Sequence, residues 1–247
     1  MSTEEKSAVI FDRVWKSFGP KQVLRDVSFE VPAGEILCIL GRSGTGKSVT
    51  LKLLISLLKP DHGRIWVDGT EITTLKEAGL TKVRRKMGFL FQDAALFDSL
   101  TLYENLAIPL HRLTDKTQHE IDSIIDKVLG QVGLAGDKQK MPSNLSGGMR
   151  KRAGLARALM LEPKVLLADE PSSGLDRITA AEIDELLLKQ KAERGTTVIV
   201  VTHDVHGARR VGDRFAVFEK GDLIAFGTAS EVERSENEIA RKLISEH

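Results

Sequence analysis

The eight residues Gly41-Arg42-Ser43-Gly44-Thr45-Gly46-Lys47-Ser48 bring together the groups that hold a polyphosphate. They fit the spacing G-x-x-x-x-G-K-[ST], in which glycines let the backbone bend until several N–H groups converge on phosphate oxygens. Lys47 adds a positive charge and Ser48 a hydroxyl for Mg²⁺, while Val49 lies in a following helix whose positive end meets the same anion. A second set of reactive types ends the apolar run "VLLADEP". Asp169 is suited to a Mg²⁺ shell, and Glu170 beside it to orienting or deprotonating a water. Adjacent strand residues face opposite ways, so both serve one site only if the chain turns there, and Pro171 favours a turn. His203 after "VIVVT" and Gln92 after "MGFLF" are polar residues at strand ends, facing the same crevice if the strands share one sheet. Each alone is equally an ordinary capping or packing residue.

A third element poses a question. "SNLSGGMRKR" puts Ser146, Gly147 and Gly148 ahead of a cationic segment, as if to receive an anion. The chain already has a phosphate loop a hundred residues earlier.

These residues need a frame. "AVIFDRVWKSF" and "QVLRDVSFEV" alternate as strands about the turn "FGPK", and "EILCIL" reads as a buried strand feeding the glycine-rich loop. An apolar helix is expected from Ser48 to Leu58, stopped by Pro60, and then a strand at "HGRIWVDG". From Asp93 to about Gly133 the pattern is helical. Thr101 with Glu104 and Thr117 with Glu120 fit capping boxes, the second followed by a stripe from Ile121 to Val132. "KVLLADEP" and "TTVIVVTHD" are continuous apolar runs, as in strands buried on both faces of a parallel sheet. A helix with Ile183, Leu186 and Leu187 lies between them. "RFAVFEKGDLIAFG" suggests a hairpin at Lys220–Gly221, and the last residues a helical tail. The fold class is α/β, with a mostly parallel core sheet, an N-terminal antiparallel β-subdomain and an inserted helical subdomain over about 93–158.

Bulk properties narrow the function. With 36 basic against 35 acidic side chains, no global field would recruit nucleic acid. The single cysteine, Cys38, sits in an apolar run and is expected to be a small buried hydrophobe. The start lacks the pattern of a signal peptide, and no apolar run approaches the roughly 20 residues of a membrane helix. The chain is expected to be soluble. The basic run Arg84-Arg85-Lys86 is expected to form a solvated face.

The ordered set GRSGTGKS, Gln92, LSGGM, VLLADEP, SSGLD and His203 closely resembles the ATP-binding cassette ATPases, from about residue 8 to residue 228. The resemblance implies the P-loop cassette fold, with ATP and Mg²⁺ as cofactors. It also implies an N-terminal tail over 1–7 and a C-terminal helical tail over 229–247. In that family two subunits meet head to tail, and each Ser-Gly-Gly signature closes over the γ-phosphate held by the other's loop. The resemblance therefore gives Phe18 as the adenine-stacking aromatic, Lys47 and Ser48 for phosphates and Mg²⁺, and Gln92 and Asp169 for the metal shell. Ser146, Gly147 and Gly148 would meet the opposite γ-phosphate, Asp176 would contact across the dimer, Glu170 would act as base, and His203 would steady the γ-phosphate. Met149 departs from the usual glutamine and Ser173 from a common alanine.

The segment "RRKMGFLFQDAALFDSLTLYENLAIPL" resembles the ATPase branch of Mla and Mce-type lipid transporters. That implies a permease in the inner membrane, an Mce-domain lipid-binding protein, a possible small accessory subunit, a second copy of this chain, and a place on the cytoplasmic face. Leu96, Phe97, Leu100, Leu102 and Tyr103 form an apolar cluster where a permease helix could dock. Rival readings are a polar-solute transporter and a soluble cassette working in protein or cofactor assembly. A DNA-repair relative would need a long coiled coil, and a translation-factor relative two cassettes; the sequence has neither.

Overall fold

The computed structural model describes residues 7–245. All but Ser7 of the expected N-terminal tail, and the last two residues of the expected C-terminal one, lie outside the described residues.

Two long strands open the chain, β1 (Ser7–Phe18) and β2 (Lys21–Pro32), joined at Gly19-Pro20. β3 (Ile36–Gly41) runs into the glycine-rich loop and then helix α1 (Lys47–Leu54). β4 (His62–Val67), the short β5 (Thr70–Glu71), α2 (Glu77–Arg84) and β6 (Met87–Leu90) follow. Next come α3 (Leu102–Leu113), α4 (Gln118–Gln131) and α5 (Gly147–Leu159). The chain returns to the sheet with β7 (Val165–Asp169), α6 (Arg177–Arg194), β8 (Thr197–Val201) and α7 (Val205–Val211). A hairpin of β9 (Arg214–Glu219) and β10 (Asp222–Gly227) precedes α8 (Ala229–Glu233) and α9 (Glu238–Ser245).

The strands form two sheets. One is antiparallel in the order β2-β1-β4-β5; the other has the order β10-β9-β3-β8-β7-β6 and is parallel except for its edge hairpin. Strands of the second sheet alternate strictly between two cores. Ile36, Cys38, Leu40, Leu166, Ala168, Val198 and Val200 face the helices α3 to α7 and α9. Leu37, Ile39, Val165, Leu167, Ile199 and Val201 face α1, α2 and the antiparallel sheet. Cover on both faces is why these strands read as unbroken apolar runs.

Several expectations change in detail. α1 ends at Leu54 rather than Leu58, because Ser56 takes a left-handed φ of 55° and the Leu57 and Leu58 amides turn back to the Lys52 carbonyl. Helix does not begin at Asp93. Ala94 and Ala95 have φ of 59° and 50°, and the buried Asn105 amide ties up the Phe97 N–H and the Phe97, Leu100 and Thr101 carbonyls. Both capping boxes are present, at Thr101 and Thr117. In the run Arg84-Arg85-Lys86, Arg85 and Lys86 are exposed as expected, while Arg84 is half-buried. Arg84 donates to the Ile55 and Ser56 carbonyls at 2.8 and 3.1 Å, closing the end of α1, and Lys86 pairs with Asp68. The tail packs on its own chain. Ala240 and Ile244 are buried and Arg209 of α7 donates to the Ile244 carbonyl at 2.6 Å, while Ile239 stays half exposed.

Gly88 shows how closely α5 is seated on the sheet. A Cβ there would stand 2.4 Å from the Ala158 carbonyl oxygen and 3.1 Å from Pro163. Gly88→Ala should therefore cost about 1–3 kcal/mol of stability by overpacking, read as a lower urea midpoint. An unchanged midpoint would contradict this seating.

Candidate functional site

The phosphate loop is shaped by what glycine permits. Gly46 has φ 105°, and a Cβ on it would lie 2.7 Å from both the Val23 carbonyl and Leu24 Cδ2. Gly41 turns away from β3 at φ 151°, where a Cβ would meet the Phe218 carbonyl at 2.4 Å. No side chain caps α1 at Gly46, and the first N–H groups of a helix have no acceptor within it. The loop thus offers free donors and a positive helix end to an anion. Lys47 is buried under it, and its ammonium donates to the Gly41 and Arg42 carbonyls at 2.7 and 3.0 Å. Burial lowers the Lys47 pKa, while Glu170 and Asp169 oppose that shift.

The strand ends supply the acidic side. Ser48 Oγ donates to Asp169 at 3.1 Å, so loop and β7 are joined where a cation would sit. Burial raises the Asp169 pKa, the Ser48 hydrogen bond opposes this, and the neighbouring Glu170 charge adds to it. Glu170 has φ 48°, so the chain does turn there, as Pro171 suggested. Its N–H donates to the Val201 carbonyl at 2.8 Å, and its carboxylate lies 2.9 Å from His203 Nδ1 and 3.2 Å from Thr202 Oγ1. With the proton on Nδ1, His203 donates to Glu170 and leaves Nε2 facing outward.

A cleft of about 830 Å³ is lined by Phe18, Lys21, Val23, Arg42, Ser43, Gly44, Gly46, Lys47, Ser48, Val49, Gln92, Glu170 and His203. Most of the expected residues therefore share one space. Gly41 and Thr45 shape the loop from behind, with the Thr45 hydroxyl on the Arg42 carbonyl at 2.9 Å. Phe18 is 47% exposed at the rim, where a flat ring can be covered by another. Lys21, its cross-strand partner in the β1–β2 hairpin, was not anticipated, although the turn at Gly19-Pro20 signalled that pairing. Thr202 and Lys151 were also missed; Lys151 makes hydrogen bonds with the backbones of both Gln92 and Glu170.

Ser146, Gly147, Gly148 and Asp176 do not line this cleft. Ser146 caps α5, accepting from the Met149 N–H at 3.2 Å, and stays exposed with Gly147. Gly148 is buried against α6, where a Cβ would meet Thr179 Cγ2 at 2.4 Å. Asp176 caps α6, accepting from the Ile178 and Thr179 N–H groups at 3.0 Å each and from the Thr179 hydroxyl at 2.7 Å. The structure thus brings the two helix starts together on a surface of their own.

The chain was compared with known proteins. The family model described as ABC transporter matches residues 24–173. The chain is 45% identical over 230 residues to "Probable ribonucleotide transport ATP-binding protein mkl" of Mycobacterium leprae (strain TN), covering 93% of this chain and 66% of that protein. It is 43% identical over 211 residues to "Methionine import ATP-binding protein MetN" of Escherichia coli O157:H7, covering 85% and 61%. The chain thus spans just under two thirds of the length of these relatives. Among solved structures, it resembles a dimeric ATP-binding cassette in a post-hydrolysis state bound to ADP and Pi. That match has a TM-score of 0.83 and 34% identity, and covers 89% of this chain and 98% of that one. CbiO1 from Clostridium perfringens, part of the ABC transporter complex cbiONQ, matches with a TM-score of 0.85 and 31% identity, covering 97% and 95%.

Saturating nucleotide should stabilise the wild type against heat, by about 2.7 kcal/mol at a hundredfold excess over Kd. Lys47→Ala should lose that shift. An unchanged shift would remove Lys47 from the binding site.

Proposed function

The chain belongs to the ABC transporter family, as one of its ATP-hydrolysing cassettes, and on that premise we propose that it powers lipid transport through a partner permease. The observation that carries the mechanism is the division of anion-binding parts. One cleft holds loop, base and histidine, while the Ser146-Gly147-Gly148 turn opens on a separate surface. A second copy of this chain, docked head to tail, would bring its turn over the first chain's cleft and complete the site. Hydrolysis then depends on closure, and closure can be passed on as movement.

Within the cleft Phe18 stacks on the adenine, while the loop N–H groups and Lys47 hold the phosphates and offset the negative charge that grows during transfer. Glu170 takes a proton from water as the water oxygen attacks the γ-phosphorus. The bond to the bridging oxygen breaks, leaving ADP and phosphate. His203, hydrogen-bonded to Glu170, fixes that carboxylate and presents Nε2 to the γ-phosphate. Ser48, Gln92 and Asp169 offer the oxygen donors that suit Mg²⁺, which when bound neutralises phosphate charge.

The lipid cargo rests on the segment from Arg84 to Leu110 and its likeness to Mla and Mce-type ATPases. Of the apolar cluster Phe97 stays exposed while Leu102 is buried, and Phe91 next to Gln92 is exposed as well, so part of this surface is free to meet a permease helix. Residues 93–158 would form the helical subdomain that bears this contact, inserted in a cassette domain over 8–228. Among the described residues no helix is long and apolar enough to cross a membrane, so attachment would be peripheral, on the cytoplasmic face, through the permease. An Mce-domain protein and a small accessory subunit complete the proposed assembly. The relatives named for ribonucleotide transport and methionine import favour a second reading, a polar cargo. Pull-down from native membranes in mild detergent separates them. A permease, an Mce-domain protein and enriched phospholipid support the first; a permease with a solute-binding protein and no lipid supports the second.

Glu170→Gln should bind ATP as the wild type does, lose about 10²- to 10⁴-fold in turnover, and run as an ATP-stabilised dimer in size-exclusion chromatography. Wild-type turnover from a monomer would overturn the assignment of the base.

A further inference from the structure

Lys151 lies on α5, 7% exposed, and its ammonium has three donors and three acceptors. It donates to the Gln92 carbonyl, to the Glu170 carbonyl at 2.9 Å and to Ser173 Oγ at 3.2 Å. The Ser173 hydroxyl donates in turn to the same Glu170 carbonyl at 3.0 Å. No carboxylate forms an ion pair with this ammonium among the described residues. Burial disfavours the charge, and the Asp93, Glu170 and Asp169 carboxylates oppose that at longer range. Its hydrogen bonds all go to neutral oxygens of separate segments, which matters where those segments need holding.

They do. Glu170 is kept at φ 48° and Ala94 and Ala95, just after Gln92, at 59° and 50°, conformations that side-chain-bearing residues adopt only when held. The same face of α5 clasps the second segment further along. Arg157 donates to the Ala94 and Ala95 carbonyls at 3.0 and 2.5 Å, and at Gly154 a Cβ would crowd Ala94 Cβ at 2.8 Å. Lys151, Gly154 and Arg157 recur every three residues, so one helix face carries the whole clasp. The helix that begins with Ser146-Gly147-Gly148 therefore grips the backbone of both Gln92 and Glu170.

We propose that Lys151 is a positioning residue for hydrolysis, with Ser173 as its partner. Through the two carbonyls it fixes the Glu170 carboxylate and the Gln92 side chain relative to α5, so a shift of that helix on closure is felt at the base. The proposal rests on the assignment of Glu170 above. It also gives the serine at 173 a task that alanine could not perform, since only a hydroxyl supplies the third acceptor.

The test is ATP turnover and nucleotide affinity of Lys151→Met, Ser173→Ala and the double variant, with Glu170→Gln measured beside them. Lys151→Met should lose about 10- to 100-fold in kcat, the range expected for a misplaced catalytic group. Its affinity for a non-hydrolysable ATP analogue should stay within about twofold of wild type, because binding precedes the positioned step. Ser173→Ala, which removes one hydrogen bond, should lose about 2- to 10-fold in kcat and keeps the test open if Lys151→Met does not fold. The double variant should lose less than the product of the two single losses, since ammonium and hydroxyl bind each other and the same Glu170 carbonyl. Wild-type kcat in Lys151→Met, parallel loss of kcat and affinity with a lowered Tm, or additive losses in the double variant would each overturn the proposal. If Glu170→Gln is silent while Lys151→Met turns over normally, only the positioning fails; turnover in Glu170→Gln overturns both.

Discussion

The site depends on a backbone reversal at the end of β7. At Glu170 the chain leaves the extended strand for a left-handed conformation, which costs about 1–3 kcal/mol unless its surroundings impose it. They do so at every polar atom. The amide is bound by the Val201 carbonyl, the carbonyl by Lys151 and Ser173, and the carboxylate by Thr202 and His203. Without the reversal, Asp169 and Glu170 would point to opposite faces of the sheet. With it, one carboxylate meets Ser48 and the next opens to the cleft.

The rest of the fold serves to bring partners to that point. Parallel strands covered on both faces end along one edge, so the loop after β3, the turn after β7, His203 after β8 and Gln92 after β6 are neighbours by topology. The Ser146-Gly147-Gly148 turn lies outside because it starts a helix packed on the far core, and α6 holds it there through Gly148 and Thr179. Two phosphate-binding elements in one chain are thus not redundant in the proposed assembly. Each contributes to a different ATP, and α5 joins the outer one to the inner.

Much of this was legible in the sequence where a pattern has a local cause. The G-x-x-x-x-G-K-S spacing, the continuous apolar runs that become doubly covered strands, and the two capping boxes each need only a few neighbouring residues. Pro171 hinted at the reversal beside it. What could not be read depends on long-range register. Lys151 sits in "MRKR", part of a cationic segment that reads as facing an anion. Only the packing of α5 on β6 turns its third member inward. Arg84 is similar, since its acceptors lie just past the end of α1, nearly thirty residues away. Asn105 looks like any polar helix residue until its amide is seen holding the 97–101 turn. The two left-handed alanines gave no warning, because alanine favours helix and only the surrounding clasp overrides it.

The central claim is that the cleft of one chain is completed by the Ser146 turn of another. Turnover in an equimolar mixture of Lys47→Ala and Ser146→Arg chains tests it most directly, with each variant also measured alone. The account predicts that both are silent alone and that the mixture regains turnover, since a mixed pair keeps one intact loop facing one intact turn. A mixture no faster than its separate parts, or a Ser146→Arg chain active alone, would contradict it.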